Sequence, residues 1–376
     1  METLTKTAKK EKTTTAKRMS GAEAVILSLL NEGVDTVFGY PGGAIMPIYD
    51  ELFKYEDQLA HILTRHEQGA VHAAQGFSRA SDRVGVCFAT SGPGATNLIT
   101  GIADAQVDST PLVCITGQGP SNLLGSSAFV VIDIIGISMP VTKLNFQVTR
   151  AEDIPEAIAR AFYIAKSGRP GPVLVDVPKD VQFASAHYTP PAKARTSHYR
   201  PRVKGDPERI EQLVELIEVA ERPIFYTGGG VVNSGPNASA LLREIVETTG
   251  FPITSTLMGL GAYPANGKSW MGMLGMHGLY EANLAMHGCD LMINVGARFD
   301  DRITGRIADF SPRSRKAHID IDQSSINKVI HVDVPIIGDV GHVLKDLLEV
   351  WKARGSKTNE DGLRRWWGQI EEWRKV

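Results

Sequence analysis

The segment VGVCFATSGPGATN, residues 84–97, joins a run of apolar residues to a Gly/Pro turn and then to a helical stretch. Similar strand-like runs occur at 36–39, 111–116 and 172–177, with helix-like segments at 96–105 and 154–166. Near-continuous apolar strands that alternate with helices are typical of a parallel sheet covered by helices on both faces. The first half of the chain is therefore predicted to be a doubly wound α/β domain.

A second unit of the same class follows a polar, proline-bearing stretch. Its predicted strands are 224–227, 253–256, 291–295, 317–321 and 335–337, and its predicted helices are 241–248 and 340–352. The stretch between the two units lacks hydrophobic periodicity, which is typical of a linker. The sequence thus predicts two doubly wound parallel-sheet domains, residues 20–185 and 207–352, joined by a linker at 186–206.

The two ends of the chain differ from these domains. Residues 1–19 are rich in Lys and Thr and are predicted to be a disordered basic tail, with a transit peptide as the alternative. Residues 353–376 place apolar side chains at helical spacing, namely Leu363, Trp366, Trp367, Ile370 and Trp373. An amphipathic helix of this kind needs a covering partner, so we expect it to lead into a further domain.

Composition excludes several classes of protein. The 376 residues include 40 basic and 42 acidic side chains, which leaves a net charge of −2 and disfavours nucleic acid and anionic membranes as partners. The three cysteines, Cys87, Cys114 and Cys289, are an odd number without C-x-x-C spacing and are expected to be buried free thiols. With no apolar run long enough to span a membrane and no secretory signal, we expect a cytoplasmic protein.

Three segments could carry chemistry. The two glycine-rich ones follow predicted strands, at the edge where parallel sheets bind ligands, and a glutamate-bearing segment lies between them in the chain. They are 39–45, 65–70 and 91–97. The two glycine-rich segments match neither phosphate-binding consensus, so each could equally be a structural turn. Glu67 could be only a favourable partner of a helix dipole, or a buried acid suited to proton exchange. Residue patterns alone leave both alternatives open.

Longer motifs narrow these alternatives. Residues 38–50 read FGYPGGAIMPIYD, 65–70 read RHEQGA and 89–98 read ATSGPGATNL, and they are followed by SGRPGP at 167–172, VPKD at 177–180, MLGMHG at 273–278, GARFDDR at 296–302 and HIDID at 318–322. In this order and length they resemble the acetolactate synthase (acetohydroxyacid synthase) large subunits, which use thiamine diphosphate. The resemblance extends from Ser20 to Trp351.

The resemblance implies that residues 20–185 form the family's pyrimidine-binding domain. Glu67 would be the glutamate that activates the cofactor by hydrogen bonding to its aminopyrimidine ring. Pro41, Gly42 and Gly43 would let the backbone approach the cofactor, and Asn97 would offer its amide to the same ring. Phe129 would line the reaction pocket, and Lys179 would lie at its entrance.

The resemblance also implies that residues 207–352 form a Rossmann-like central domain that holds FAD without net redox change. By position, the expected FAD-binding residues are Arg169, Gly228, Gly229, Gly230, His277, Gly278, Gly296, Arg298, Asp300, Asp320, Ile321 and Asp339. Arginine side chains suit the pyrophosphate or ring oxygens of such a ligand.

Two departures from the family stand out. The family's Phe-Gln-Glu is Phe129-Val130-Val131 here, which removes an amide from the pocket and predicts reduced or altered catalysis. The family's third domain binds the diphosphate through Mg²⁺ with a Gly-Asp-Gly motif, and this chain contains no Gly-Asp-Gly. In the family, sites form between one subunit's first domain and its partner's third. A chain ending at Val376 is therefore expected to supply half of each site and no metal ligand.

The family implies pyruvate and 2-ketobutyrate as substrates, a homodimer, and a regulatory small subunit as a candidate partner. The function expected is decarboxylation of pyruvate and its ligation to a second 2-keto acid in valine, leucine and isoleucine biosynthesis. Two alternatives stay open. One is a non-catalytic or vestigial FAD-binding paralogue, and the other is a diverged thiamine-diphosphate decarboxylase, which Val130 and Val131 would favour.

Overall fold

The computed structural model describes residues 18–126, 131–189, 191, 194 and 199–376. The described residues form two compact units. Unit 1 lies within 1–166 and 171–197, and unit 2 lies within 167–170 and 198–376. Within the described residues, no helix is long and apolar enough to cross a membrane.

Unit 1 is built on one parallel sheet. Its strands are β2 (Thr36–Gly39), β3 (Ala60–Leu63), β4 (Gly85–Ala89), β5 (Leu112–Gln118), β6 (Leu144–Gln147) and β7 (Pro172–Pro178), which follow a short strand β1 (Arg18–Ser20) and precede another, β8 (Ser185–His187). Across the sheet the order is β3-β2-β4-β5-β7-β6, with every neighbouring pair parallel. The predicted doubly wound α/β class is confirmed for this unit.

Helices cover both faces of this sheet. They are α1 (Gly21–Asn31), α2 (Met46–Phe53), α3 (Glu67–Ser81), α4 (Pro93–Thr96), α5 (Ile99–Asp108), α6 (Ile134–Ser138), α7 (Ile154–Lys166) and α8 (Lys179–Phe183). Helix α1 packs against α2 and α7, whereas α3 packs against α5. As its sequence position suggests, Ser20 caps α1 by accepting a hydrogen bond from the Glu23 amide at 3.0 Å.

The buried strands match the prediction, and the edge strands were missed. Strands β4, β5 and β7 are buried along their whole length, which is why their sequences are continuous apolar runs. Strands β3 and β6 lie at the two edges and are mostly half-buried or exposed, so their sequences carry no such run. All three cysteines are free and buried, as expected, and Cys87 faces Cys114 across β4 and β5.

Two sequence expectations for unit 1 need correction. Arg18 and Met19 were assigned to a disordered tail, but they lie in β1, which pairs antiparallel with β8, and Met19 is buried. The single helix expected at 96–105 is divided: α4 ends at Thr96 and α5 begins at Ile99, with Asn97 and Leu98 between them. Residues 1–17 of the expected tail lie outside the described residues.

Unit 2 contains a second parallel sheet. Its strands are β9 (Pro223–Thr227), β10 (Ile253–Ser255), β11 (Trp270–Met273), β12 (Leu291–Val295), β13 (Arg315–Asp320) and β14 (Val334–Ile337), and its helices are α9 (Pro207–Val219), α10 (Gly229–Asn233), α11 (Pro236–Thr249), α12 (Tyr280–Gly288), α13 (Asp301–Thr304), α14 (Val340–Arg354) and α15 (Glu360–Trp373). The order is β11-β10-β9-β12-β13-β14, again all parallel. The predicted class is confirmed here also.

The tryptophan-bearing helix α15 was expected to need a partner outside the two domains. Instead it packs on unit 2, where Trp366 is 4% exposed and Ile370 is fully buried. The indole nitrogens of Trp366 and Trp367 donate to the carbonyls of Pro223 at 3.0 Å and Gly250 at 2.9 Å, next to the starts of β9 and β10. The apolar stripe therefore closes the amino edge of this sheet and is no evidence for a further domain.

This packing predicts the effect of Trp366→Ala. Removing a buried indole and its hydrogen bond should lower the free energy of unfolding of unit 2 by about 3–5 kcal/mol. All five tryptophans lie in this unit, so urea unfolding followed by tryptophan fluorescence reports on it. In the control, Arg365→Ala on the same helix, the side chain is 67% exposed, and the change should stay within about 0.5 kcal/mol. Equal unfolding midpoints for the two variants would contradict the assigned packing.

Candidate active site

The strand order of unit 1 reverses between β2 and β4. From β2 the chain runs to β3 on one side, and then returns to β4 on the other side. Successive connections then leave the carboxyl ends of β2 and β4 in opposite directions, which opens a crevice where open α/β sheets bind ligands. The segments 40–44 and 90–97 follow these two strands and border the crevice.

Glu67 and Asn97 meet at this crevice. Glu67 is the first residue of α3, preceded by the N-cap His66, whose Nδ1 accepts the Gln68 amide at 3.1 Å. The Glu67 side chain is only 6% exposed, and its Oε2 accepts a hydrogen bond from Asn97 Nδ2 at 2.9 Å. Two residues singled out separately in the sequence therefore form one hydrogen-bonded pair, in which Glu67 is buried and Asn97 is half-buried.

Gly94 makes room for this pair. A Cβ atom on Gly94 would lie 2.7 Å from the Thr90 methyl group and 3.0 Å from Glu67 Oε1. Either contact is tighter than close packing tolerates, so the site needs glycine at this position. The carboxylate of Glu67 thus lies against the backbone of α4 on one side and the Asn97 amide on the other.

The loop after β2 contains two glycines in different surroundings. A Cβ on Gly42 would lie 2.5 Å from the Thr90 side chain, whereas a Cβ on Gly43 would meet no atom within 4 Å. Thr90 also accepts the Ala44 amide at 3.2 Å. Thr90 was not among the predicted site residues, and its only sequence signal is that it directly follows β4 inside a quoted motif. Gly43 is left facing open space beside Pro41 and the crevice.

Tyr49 lies under the same loop. Its hydroxyl is 3.3 Å from His61 Nε2, and a Cβ on Gly39 would lie 2.5 Å from it. Burial, with smaller contributions from Cys87 and Glu67, raises the pKa of Tyr49 well above its usual value. The hydroxyl therefore stays protonated near neutral pH and acts as a hydrogen-bonding group.

Lys179 lies further along the carboxyl edge. It is the half-buried first residue of α8, directly after β7, and β5 separates β7 from β4. The next residue, Asp180, accepts hydrogen bonds from the amide and hydroxyl of Ser121 at 2.9 and 3.0 Å. Although burial opposes it, these bonds lower the pKa of Asp180 below its usual value. Ser121 was not among the predicted site residues.

The segment carrying Phe129 and Val130 lies outside the described residues, so their expected places in the pocket stay predictions. Val131 is described and packs against Gly119, where a Cβ would lie 2.8 Å from Val131 Cγ2.

Unit 2 has a switch point of its own, between β9 and β12. Gly228 and Gly230 follow β9, and Gly296 follows β12 with φ of +63°. The Gly230 amide donates to the Gly296 carbonyl at 2.9 Å, and a Cβ on Gly228 would lie 2.4 Å from the same oxygen. These glycines are therefore needed for the close approach of two loops, a reason that the sequence alone does not reveal. A Cβ on Gly229 would lie 3.3 Å from the Cβ of Met258.

The acidic residues expected to contact FAD have local partners. Asp300 caps α13 by accepting the Arg302 amide at 2.9 Å, and Asp320 accepts the Asp322 amide at 2.8 Å. Asp339 caps α14 and also accepts the Ser234 hydroxyl at 2.7 Å. Each carboxylate thus orders a loop at the carboxyl edge of the sheet.

Cationic side chains lie at the same edge. Arg169 forms an ion pair with Asp322 at 3.3 Å, close to Ile321 at the end of β13. Although partial burial opposes it, hydrogen bonds from Ser324 and Arg169 lower the pKa of Asp322. Arg298 follows β12 and His277 follows β11, and both side chains are exposed. Next to His277, Gly278 occupies a tight turn, since its Cβ would lie 2.4 Å from the Leu274 carbonyl carbon.

Comparison with known proteins agrees with this two-unit arrangement. Residues 19–137 match the family described as thiamine pyrophosphate enzyme, N-terminal TPP binding domain, and residues 210–347 match its central domain. Thiamine pyrophosphate is the same compound as thiamine diphosphate.

Curated relatives are similar along most of the chain. The acetolactate synthase large subunit of Corynebacterium glutamicum is 51% identical over 343 residues, which cover 91% of this chain and 54% of the relative. The isozyme 3 large subunit of Escherichia coli is 46% identical over 95% of this chain and 62% of the relative, and the large subunit of Haemophilus influenzae is 47% identical with the same coverage. The chain therefore spans between 54% and 62% of the length of these three relatives.

The contrast between Gly42 and Gly43 yields a test of the loop geometry. Neither glycine has a positive φ, so only packing distinguishes them. Without ligands, Gly42→Ala should cost about 1–3 kcal/mol of unfolding free energy because its methyl group would overlap Thr90. Gly43→Ala should change it by less than about 0.5 kcal/mol. Urea unfolding, with hydrogen exchange of unit 1 peptides as the probe, measures both changes in unfolding free energy. A larger loss of stability in Gly43→Ala than in Gly42→Ala would contradict the packing of this loop.

Proposed function

This chain belongs to the thiamine pyrophosphate enzymes and is a homologue of acetolactate synthase large subunits, and we propose that it serves the activity for which those relatives are named. The reaction would be decarboxylation of pyruvate and ligation of the remaining two-carbon unit to a second 2-keto acid, in branched-chain amino acid biosynthesis. The observation that carries the proposal is the hydrogen bond between the buried Glu67 and Asn97 at the switch point of unit 1.

The crevice of unit 1 fits the aminopyrimidine part of thiamine diphosphate. A largely buried carboxylate, Glu67, lies beside Gly94, which in turn packs against Thr90. Thr90 also holds the loop whose Gly43 faces open space. A flat heteroaromatic ring with ring nitrogens and an exocyclic amine suits a site with one carboxylate, one amide and accessible backbone. Pro41, Gly43, Glu67 and Asn97 would hold this ring.

Thiamine diphosphate, when bound, supplies the electron sink that makes loss of CO₂ from a 2-keto acid feasible. Glu67 would hold a proton between its carboxylate and a pyrimidine nitrogen, and the hydrogen bond from Asn97 would fix the carboxylate's orientation. The nearly complete burial of Glu67 would exclude water from that proton. Lys179 would lie two strands away on the same edge, where its charge suits the carboxylate of an entering keto acid.

The substrates and partners are part of the same proposal. Pyruvate and 2-ketobutyrate would be the keto acids, and two copies of the chain would associate. The relatives are named large subunits, which supports a small-subunit partner. The Mg²⁺ ion is proposed only from the family resemblance, because the described residues contain no group of three or more metal-ligating side chains.

Unit 2 fits FAD in part. The carboxyl edge offers the exposed Arg298 and His277 and the partly buried Arg169 to a diphosphate group. The glycines at 228–230 and 296, however, are already required by loop packing, and the aspartates already have local partners. We therefore propose that FAD binds at this switch point mainly through the cationic side chains.

The proposed activity can be tested in a complete family enzyme. Joining residues 1–376 to the part of the Escherichia coli large subunit that they do not align with should give a protein that forms acetolactate from pyruvate. Glu67→Gln should lower that rate at least about 100-fold, because it removes the proton-holding carboxylate. Glu32→Gln, a half-buried glutamate at the other edge of the sheet, is the matched control. A fusion that binds thiamine diphosphate yet forms no acetolactate, or equal rates for both variants, would contradict the proposal.

The flavin proposal has a separate test. Arg298→Ala should weaken FAD binding to the chain by about tenfold, through loss of a charge-assisted hydrogen bond to the diphosphate. Arg306→Ala, whose side chain is 81% exposed and paired with Asp309, should leave the affinity unchanged. Flavin fluorescence titration measures both affinities. Equal affinities for the two variants would show that Arg298 does not contact FAD. No binding by the parent chain would show that FAD is not its ligand.

A further inference from the structure

Gln182 lies behind the loop that joins β2 to α2. It is in α8, three residues after Lys179, and its side chain is fully buried. Its Nε2 donates to the Ala44 carbonyl at 2.8 Å and to the Val177 carbonyl at 2.7 Å. One amide group therefore joins the loop after β2 to the end of β7.

Residues in or next to two other strands hold the same residue of the loop, Ala44. The Ala44 amide donates to Thr90 Oγ1, directly after β4, at 3.2 Å. In β5, Gly117 lies so close that a Cβ would be 2.4 Å from the Ala44 carbonyl oxygen. Ala44 is thus fixed from three elements, while the preceding Gly43 faces open space. The loop is rigid on its inner side and accessible on its outer side.

We propose that Gln182 is a positioning residue for the cofactor site: by holding the Ala44 carbonyl, it fixes the backbone of residues 41–43 in the conformation that receives the ligand. The inference rests on the proposed function, since that function assigns thiamine diphosphate to this loop. Gln182 acts through Ala44 and does not contact residues 41–43 by its hydrogen bonds. A binding loop fixed before the ligand arrives spares the ligand the cost of ordering it.

Loss of the Gln182 amide has a predictable energetic cost. Removing the amide donor would leave the part-buried Ala44 carbonyl and the buried Val177 carbonyl without this partner, which costs more than the net value of a hydrogen bond. The Val177 carbonyl belongs to a strand held on both sides, by β5 and β6. The Ala44 carbonyl belongs to a loop, so the loop is the part free to move when the donor is lost.

The test replaces Gln182 by methionine, which keeps the side-chain length but has no N–H group. The matched control is Gln75→Met, because Gln75 is also buried in unit 1, at 4% exposure, and donates to the Gly101 carbonyl, away from Ala44. Hydrogen exchange of the amides in residues 40–46 should accelerate about tenfold in Gln182→Met, and should stay near that of the parent chain in Gln75→Met. Unchanged exchange at 40–46, or an equal rise throughout unit 1, would overturn the proposal.

A second readout uses thiamine diphosphate with Mg²⁺, titrated on the fusion of residues 1–376 with the remaining part of the Escherichia coli large subunit and followed by the near-ultraviolet circular dichroism of the bound pyrimidine. The parent is this fusion, and both substitutions are made in it. Gln182→Met should bind about tenfold more weakly than the parent and alter the band, whereas Gln75→Met should do neither. Equal binding and equal spectra would overturn the proposal. If exchange at 40–46 is faster in Gln182→Met but the parent binds no thiamine diphosphate, the role of Gln182 in holding the loop is supported and the proposed function is rejected.

Discussion

The reversal of strand order at β2 and β4 is the constraint on which the candidate site depends. Parallel strands end at one edge of a sheet, and at a reversal the two connections leave in opposite directions. This brings the start of α3, the end of α4 and the loop before α2 to one crevice, although Glu67 and Asn97 are 30 positions apart in the chain. The hydrogen bond between them follows from the topology, and the close packing at Gly94 fixes the carboxylate beside it.

The same constraint operates in unit 2 with different local chemistry. There the reversal between β9 and β12 brings two glycine-bearing loops into direct backbone contact. The aspartates of this edge cap helices or order turns, and the arginine side chains provide the positive charge. One fold principle therefore yields a small acid–amide pocket in unit 1 and a broader cationic edge in unit 2.

Much of this arrangement could be predicted from the sequence, for identifiable reasons. The central strands are buried on both faces, so their apolar runs are continuous, whereas the edge strands β3, β6 and β11 expose part of their side chains and carry no such signal. Motifs identified Glu67 and Asn97 but not their mutual bond, because contacts between distant positions are set by topology. Thr90 and Gln182 were not singled out, since a single threonine or glutamine carries no pattern that reveals what it contacts. The tryptophan stripe of α15 was correctly predicted to be helical but given the wrong partner, because amphipathicity shows that a face is covered and does not show by what.

The central claim is that the crevice of unit 1 receives the pyrimidine ring of thiamine diphosphate against Glu67. A crystal structure of the fusion of residues 1–376 with the remaining part of the Escherichia coli large subunit, grown with thiamine diphosphate and Mg²⁺, tests it most directly. The account predicts the ring over Gly43, with a pyrimidine nitrogen within hydrogen-bonding distance of the Glu67 carboxylate. A cofactor bound elsewhere on the chain, or a crevice that stays empty at saturating cofactor, would contradict it.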